Sequence, residues 1–354
     1  MEHMDVNPMG LDGFEFCEFT SPDPDKLAHL FEQMGFVAAS THPTKALTRY
    51  KQGRINLLLN LEPIGHAADF ARDHGPSASA MAFRVADARA AYDAAIARGA
   101  KPGAVAAALD GIPVLEGIGG SLLYLVDRHG TAGSLYDDWD HVPGAAEAEQ
   151  ANGVGLDLLD HLTHNVRRGQ MRTWSTFYAQ IFGFEEQKYF DIKGKATGLF
   201  SQAMIAPDKA IRIPLNESQD DKSQIEEFIR DYNGEGIQHL AFTTDDIYAT
   251  VEKLRHRGVR LQDTIETYYE LVNKRVPGHG EDLERLRRNR ILIDGDTGDE
   301  GLLLQIFTET MVGPIFFEII QRKGNQGFGN GNFQALYESI ELDQIRRGVI
   351  TVDA

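Results

Sequence analysis

Two of the twelve histidines lie in segments whose alternation predicts β-strands, and both are candidates for metal ligands. His161 would share a strand face with Leu159 and Thr163, and His239 would also lie among apolar neighbours. An imidazole in such surroundings must be hydrogen-bonded or bound to a metal. Taken alone, each histidine is also compatible with a satisfied core residue.

A carboxylate strengthens the metal interpretation. Glu318 interrupts the apolar run 314–321, which otherwise predicts a buried strand, so it requires a metal, a cation or a proton. The alternative is a salt bridge to Arg322 or Lys323, whose side chains would have to fold back along the strand. Two strand histidines and one strand carboxylate are typical of the facial triad of non-haem Fe(II) oxygenases. The same donors also bind catalytic zinc, so residue types alone leave the metal open.

Two further motifs carry weaker signals. His164 is three residues after His161 and would point to the opposite strand face, so we do not expect it to be a ligand. The segment Gly327–Gly331 resembles a glycine-rich phosphate loop, but no strand-to-helix context with a downstream acidic residue accompanies it. It is therefore interpreted as a flexible connector.

The elements that would position these residues form an internal repeat. Phe83 and Phe242 are separated by 159 positions, and so are Gly99 and Gly258. In both copies a short strand leads through an acidic turn into an amphipathic helix that stops at the glycine. The chain is therefore predicted to consist of two homologous halves, each with two strand–helix–strands units.

Residues 120–124 are also similar in sequence to residues 301–305. The stretch 143–155 has no hydrophobic periodicity. This stretch predicts a linker between an N-terminal domain, 1–142, and a C-terminal domain, 156–354. The two halves differ chemically, because Ala80 occupies the position that His239 has in the second copy. We therefore expect a supporting first half without metal and a catalytic second half.

Composition limits the function classes. With 354 residues, 53 acidic and 35 basic side chains, the chain has a net charge of -18, which argues against nucleic acid or an anionic membrane as a partner. Cys17 is the only cysteine and cannot form an internal disulfide. The N-terminus does not resemble a signal peptide, and no apolar run approaches a membrane span. The expectation is a cytoplasmic protein.

Several segments of the second half together resemble the 4-hydroxyphenylpyruvate dioxygenase family. The resemblance is specific over nearly all of this half and looser in the first. The segments that carry it are Asp160–Val166, Gly236–His239, Leu303–Thr308, Phe317–Arg322 and Gly327–Phe333.

The resemblance implies an α+β, vicinal-oxygen-chelate fold: two homologous domains, each of paired βαβββ modules, with a C-terminal lid helix. It also implies that His161, His239 and Glu318 hold one Fe(II). The expected reaction converts 4-hydroxyphenylpyruvate and O2 to homogentisate and CO2. Because this substrate carries its own 2-oxo acid, no 2-oxoglutarate is needed. Members are oligomeric, so a homo-oligomer, dimer or tetramer, is expected.

The resemblance further implies a set of residues around the substrate. Neutral amides suit a phenol hydroxyl, because they donate and accept hydrogen bonds without adding charge. Gln305 also interrupts an apolar strand, so it needs a partner if buried, and Gln238 would need a bulge or an indirect role, because an ideal strand turns it away from His239. The implied catalytic residues are Gln305, Asn216 and Ser201, and the implied substrate-binding residues are Gln224, Gln238, Phe307, Phe328, Asn332 and Phe333.

The last segment has apolar residues at helical spacing, namely Phe333, Leu336, Tyr337 and Ile340. The resemblance implies that this helix covers the mouth of the active site, and our hypothesis is that residues 324–331 are the hinge of this lid. The alternative is that it packs as a fixed wall. Ordinary core packing is also an alternative role for Phe328 and Phe333.

Other functions remain open from the sequence. Hydroxymandelate synthase uses the same substrate and iron but oxidises the benzylic carbon, and Asn216 favours the dioxygenase over it. An extradiol ring-cleaving dioxygenase shares the fold and the triad but not the segments above. A non-enzymatic binding module of the same fold predicts no intact triad.

Overall fold

The computed structural model describes residues 7–103, 109, 111–193, 198–332 and 335. The first half of the chain consists of β1 (Phe14–Thr20), α1 (Pro24–Gln33), β2 (Val37–Thr41), β3 (Leu47–Gln52), β4 (Ile55–Asn60), α2 (His66–His74), β5 (Ser77–Arg84), α3 (Ala88–Ala97), β6 (Val114–Glu116), β7 (Leu122–Val126), β8 (Asp140–His141) and α4 (Ala145–Asn152). The second half consists of β9 (Leu156–Val166), α5 (Met171–Phe182), β10 (Glu185–Lys193), β11 (Gly198–Ile205), β12 (Arg212–Ser218), α6 (Gln224–Asp231), β13 (Gly236–Thr244), α7 (Ile247–His256), α8 (Glu266–Arg275), α9 (Leu283–Asn289), β14 (Leu292–Gly295), β15 (Leu302–Phe307) and β16 (Phe316–Lys323).

The strands form two eight-stranded sheets with the same plan. Their orders are β6-β7-β5-β1-β4-β3-β2-β8 and β10-β11-β12-β9-β13-β16-β15-β14. In each half the first strand pairs in parallel with the fourth, β1 with β4 and β9 with β12, as a βαβββ module requires. The predicted α+β vicinal-oxygen-chelate fold with two homologous halves is therefore confirmed.

Local sequence explains the repeated strand-to-helix turns. Asp87 accepts a hydrogen bond from the Ala90 backbone at the start of α3, and Asp246 accepts one from the Ala249 backbone at the start of α7. An N-cap carboxylate satisfies a backbone N–H that the helix itself leaves unpaired. The two caps are 159 positions apart, the period found in the sequence.

The predicted correspondence between residues 120–124 and residues 301–305 is wrong. Residues 120–124 lead into β7, which pairs in parallel with β5, whereas residues 301–305 lead into β15, which is separated from β13 by β16. The topological counterpart of β7 is thus β16. The sequence similarity was misleading, because two short apolar strands resemble each other in sequence even when they occupy different places in a sheet.

On the face of the first sheet that includes Ala80, hydrophobic side chains pack beside one buried carboxyl group, that of Glu18, the direct cross-strand partner of Ala80. Ala80 packs in a cluster with Phe16, Tyr124 and Trp139. Glu18 on β1 is 1% exposed and accepts a hydrogen bond from the Ser79 hydroxyl at 2.8 Å. Burial raises the pKa of the Glu18 carboxyl to about 7.

The chain divides into two compact units. One comprises the described residues within 1–153, 158–240 and 310–316, and the other comprises those within 154–157, 241–309 and 317–335. The predicted linker, 143–155, contains α4, where Glu149 accepts hydrogen bonds from Lys51 Nζ and the Gly53 backbone. Within the described part of the chain, no helix has the length and apolarity to cross a bilayer.

The C-terminal lid helix falls mostly outside the described residues. The backbone is helical at residues 330–332 and 335. Phe333, Leu336, Tyr337 and Ile340 lie outside the described part, so the lid and its alternative, a fixed wall, both stay predictions.

Candidate active site

His161, His239 and Glu318 come together as the sequence predicts. One ligand atom from each lies within 4.8 Å of the others, and no other group of three possible protein ligands occurs among the described residues. His161 and Glu318 are each 3% exposed, and His239 is partly buried. Two imidazoles and one carboxylate suit Fe(II) and leave further coordination positions free for substrate and dioxygen.

A buried carboxylate sets the tautomer of His161. Asp160 Oδ1 lies 2.9 Å from His161 Nδ1, and Arg212 Nη1 donates to Asp160 Oδ2 at 3.2 Å. Because the carboxylate accepts only, Nδ1 carries the hydrogen and Nε2 keeps its lone pair for a metal. Arg212 pairs in register with His161 across β12 and β9, which places the guanidinium beside this strand.

Neighbouring side chains hold His239 in a comparable way. Gln238 Oε1 lies 2.8 Å from His239 Nδ1, so a carbonyl oxygen accepts its hydrogen. The Thr163 hydroxyl lies 2.9 Å from His239 Nε2. The ring also stacks on Phe316, with centroids 4.8 Å apart. The Nδ1 hydrogen bonds therefore make Nε2 the nitrogen with the lone pair in both rings, and at His239 the Thr163 hydroxyl is the donor that faces it.

Glu318 is held by an amide from the next strand. Gln305 Nε2 donates to Glu318 Oε1 at 3.1 Å, and Asn332 Nδ2 donates to Gln305 Oε1 at 2.9 Å. Gln305 lies opposite Ile320, two residues from Glu318, so the long side chains meet diagonally on one sheet face. Arg322 donates to the backbone carbonyls of Asn325 and Gly327, and Lys323 forms an ion pair with Glu281.

Comparison with known proteins identifies the family. Residues 6–141 match the family described as hydroxyphenylpyruvate dioxygenase, N-terminal, and residues 158–272 match the glyoxalase/bleomycin resistance protein/dioxygenase superfamily. The chain is 60% identical to 4-hydroxyphenylpyruvate dioxygenase of Pseudomonas aeruginosa over 97% of both chains. It belongs to the 4-hydroxyphenylpyruvate dioxygenase family. Enzymes of this family depend on Fe(II), which the triad fits.

Two other similar proteins carry different names. Hemolysin VllY of Vibrio vulnificus is 56% identical over 98% of both chains. A solved mutant of 4-hydroxymandelate synthase from Streptomyces coelicolor superposes with a TM-score of 0.79 at 28% identity, covering 95% of this chain and 100% of that one. The fold is thus shared with the synthase, whereas sequence identity is far higher to the dioxygenase.

Some of the other residues implied by the family resemblance lie close to one another in the sheet. Ser201 and Asn216 are direct cross-strand partners on β11 and β12, and both are partly buried. Phe307 is the direct partner of Glu318. Gln238 is buried and hydrogen-bonds to His239.

The remaining residues implied by the resemblance differ in burial and in the element on which they lie. Asn332 is 2% exposed and bonded to Gln305, and Phe328 is partly buried in the loop before it. Gln224 is exposed on the first turn of α6, and its role in substrate binding stays a prediction. Phe333 lies outside the described residues.

His164 has a structural partner instead of the metal. Its Nε2 lies 2.7 Å from the Tyr178 hydroxyl of α5, and the imidazole is fully buried. Burial lowers the pKa of His164 to about 3, which keeps the ring neutral. The prediction that it is not a ligand agrees with its absence from the triad.

The glycine-rich loop is a close-packed segment, which corrects its interpretation as a flexible connector. A Cβ at Gly329 would collide with Gln305 Oε1, and one at Gly331 would collide with Asp294 Oδ1. Gly329 also has a φ of +74°, which L residues rarely adopt. The Gly331 backbone donates to Asp294 at 2.8 Å. The glycines allow the backbone to approach polar side chains closely.

Sequence reasoning missed the residues that support the ligands. Asp160 and Arg212 are 52 positions apart, and Tyr268 and Arg275 on α8 contact Asn332 from 64 and 57 positions away. Asp160 had one usable signal, a carboxylate directly before a strand histidine. The others become visible only once the strand register and the packing of α8 are known.

Proposed function

We propose that this chain is an Fe(II)-dependent 4-hydroxyphenylpyruvate dioxygenase, which converts 4-hydroxyphenylpyruvate and O2 to homogentisate and CO2 by oxidative decarboxylation, ring hydroxylation and side-chain migration. The observation that carries this proposal is the triad of His161, His239 and Glu318, formed in a chain of this family. The expected substrate is a small 2-oxo acid, and 2-oxoglutarate is not required.

His161, His239 and Glu318 would hold the iron, which when bound supplies the redox chemistry and a chelating position for the 2-oxo acid. The protein residues contribute ligand orientation. Asp160 and Gln238 accept the Nδ1 hydrogens, which leaves both Nε2 atoms as ligands. One carboxylate on a divalent ion leaves a net positive charge in the site, which favours an anionic 2-oxo acid.

The substrate residues are proposed in two groups. Gln305, with Asn216 and Ser201, would orient the phenol hydroxyl and the side chain of the substrate, because neutral amides and hydroxyls both donate and accept. Gln238 would act through His239, its hydrogen-bond partner.

The second group supplies the wall around the substrate. Phe307, Phe328 and Phe333 would pack on the aromatic ring and exclude water, and Asn332 would steady Gln305. Gln224, exposed at the start of α6, is proposed as a further substrate-binding residue.

Benzylic oxidation of the same substrate, as in 4-hydroxymandelate synthase, is the second candidate. The shared fold at a TM-score of 0.79 supports it, whereas the 28% identity supports it less than 60% supports the dioxygenase. A binding module without catalytic activity would not need three side chains that converge as metal ligands.

The test is dioxygen uptake by protein reconstituted anaerobically with Fe(II), followed by chromatography of the product. We expect homogentisate from the wild-type protein and none from Glu318→Ala. Formation of 4-hydroxymandelate would overturn the dioxygenase proposal in favour of the synthase. No uptake despite bound iron would overturn both.

We further propose that the enzyme works in the cytoplasm as a homo-oligomer, a dimer or a tetramer. Its single cysteine fits a reducing compartment. Light scattering coupled to size-exclusion chromatography measures the assembly, and a monomer at micromolar concentration would contradict this proposal.

A further inference from the structure

A chain of hydrogen bonds continues from Glu318 to the surface of α8. Glu318 accepts from Gln305, Gln305 accepts from Asn332, and Asn332 Oδ1 accepts from the Tyr268 hydroxyl at 2.6 Å and from Arg275 Nη1 at 3.2 Å. Tyr268 and Arg275 are seven positions apart, two helical turns, so they lie on the same side of α8. The guanidinium also lies 4.9 Å from the centre of the Tyr268 ring.

The Tyr268 hydroxyl is fully used within this network. It accepts from Arg275 Nη2 at 2.6 Å and from the Ile293 backbone N–H at 3.0 Å. Two acceptors face its single hydrogen, Asn332 Oδ1 at 2.6 Å and the Ile293 carbonyl at 3.1 Å. The carbonyl also accepts from Arg275 Nη2 at 2.8 Å, and the shorter distance favours Asn332 Oδ1 as the acceptor of the hydroxyl hydrogen. Burial raises the pKa of Tyr268 to about 12, so the hydroxyl keeps this hydrogen.

The guanidinium fixes the direction of every bond that follows. Arg275 has donors only, so the Asn332 atom facing it must be the oxygen. The Asn332 nitrogen then faces Gln305 and must find an acceptor there, which is Oε1. Gln305 consequently presents its N–H group to the Glu318 carboxylate. An amide alone has no such preference, because its oxygen and nitrogen are nearly equal in size.

We propose that Arg275, assisted by Tyr268, is a positioning residue that fixes the amide orientation of Gln305 through Asn332 and thereby holds the iron ligand Glu318. With Gln305 reversed, an amide oxygen would face a carboxylate oxygen, and its nitrogen would face the Asn332 nitrogen. Both contacts are repulsive in a buried site, where unpaired polar groups are costly. The proposal rests on the proposed function in taking Glu318 as an iron ligand.

The test measures Fe(II) affinity of the metal-free protein by anaerobic competition with a chelator, so it does not depend on turnover. Arg275→Met keeps the aliphatic stem and removes the donors. We expect about a tenfold loss of affinity, at the lower end of what outer-shell partners contribute. Arg275→Lys retains a donor and should recover part of the loss. Arg287→Met is the matched control, a partly buried arginine on α9 that pairs with Glu284 and Glu266.

A double variant separates positioning from general destabilisation. If Arg275 acts through Gln305, Arg275→Met should have almost no further effect on Fe(II) affinity once Gln305 is replaced by Leu. Equal losses in both backgrounds, or wild-type affinity in Arg275→Met with the fold intact by circular dichroism, would overturn the proposal. Failure of the wild-type protein to bind Fe(II) would instead overturn the proposed function.

Discussion

Replacing Asp160 by Asn tests how the protein prepares His161 for iron. The wild-type carboxylate serves two donors at once, His161 Nδ1 at 2.9 Å and Arg212 Nη1 at 3.2 Å. An asparagine has one oxygen and must choose between them. A hydrogen bond from a charged donor contributes about 1.5–3 kcal/mol, against about 1 kcal/mol for a neutral donor, so the oxygen should turn to Arg212.

The amide nitrogen then faces His161 and donates to Nδ1. The imidazole hydrogen moves to Nε2, and the lone pair needed for the metal is lost. Restoring the correct tautomer during binding costs about 1.4–2.7 kcal/mol, which corresponds to a loss of Fe(II) affinity of about 10- to 100-fold. Anaerobic chelator competition on the metal-free protein measures this directly. Asp299→Asn, at an exposed loop position, is the control.

The reasoning also predicts a rescue. In Asp160→Asn combined with Arg212→Met, the amide oxygen is free to return to His161 Nδ1, so Fe(II) affinity should recover relative to the single variant. If Asp160→Asn binds Fe(II) within about twofold of wild type with its fold intact, Asp160 does not set the tautomer. A double variant weaker than Asp160→Asn would likewise refute the competition between the two donors.

Three further variants test other parts of the structure. Glu18→Gln should stabilise the protein by about 3 kcal/mol at about pH 9 and by almost nothing at about pH 4. The reason is that burial raises the pKa of the Glu18 carboxyl from 4.5 to about 7, so the wild-type protein loses stability as the pH rises through this range. An effect on chemical denaturation that does not depend on pH would contradict this. Gly329→Ala should lower kcat/KM at least tenfold, since its Cβ would collide with Gln305 Oε1, and unchanged kinetics would show that the loop yields freely. Tyr178→Phe leaves buried His164 without its partner and should lower the free energy of unfolding by about 1–3 kcal/mol, with iron content unchanged; a loss of iron would assign His164 a role at the metal.

The iron triad could be predicted from sequence because its residues violate a local rule. Glu318 lies between apolar residues of β16, and each histidine shares its strand face with at least one apolar residue, so each of the three polar side chains needs a partner. The fold could be predicted from the internal repeat, because 159 positions separate equivalent strands and equivalent helix N-caps in the two halves.

The support of the triad could not be predicted in the same way. Arg212 contacts Asp160 because β9 and β12 pair in parallel, and the register of this pairing cannot be predicted from the sequence of either strand alone. Arg275 reaches Asn332 because α8 packs beside the loop. The glycines of that loop have two explanations from sequence, flexibility and close approach, and only the position of Gln305 decides between them.

The most direct test of the account is a titration of metal-free protein with Fe(II) in the presence of 4-hydroxyphenylpyruvate and O2, with homogentisate, CO2 and consumed O2 measured together. The account predicts that activity rises to a break at one Fe(II) per chain, with equal amounts of all three, and that His161→Ala, His239→Ala and Glu318→Ala show no break. Full turnover in any of these variants, or activity that does not depend on added iron, would contradict it.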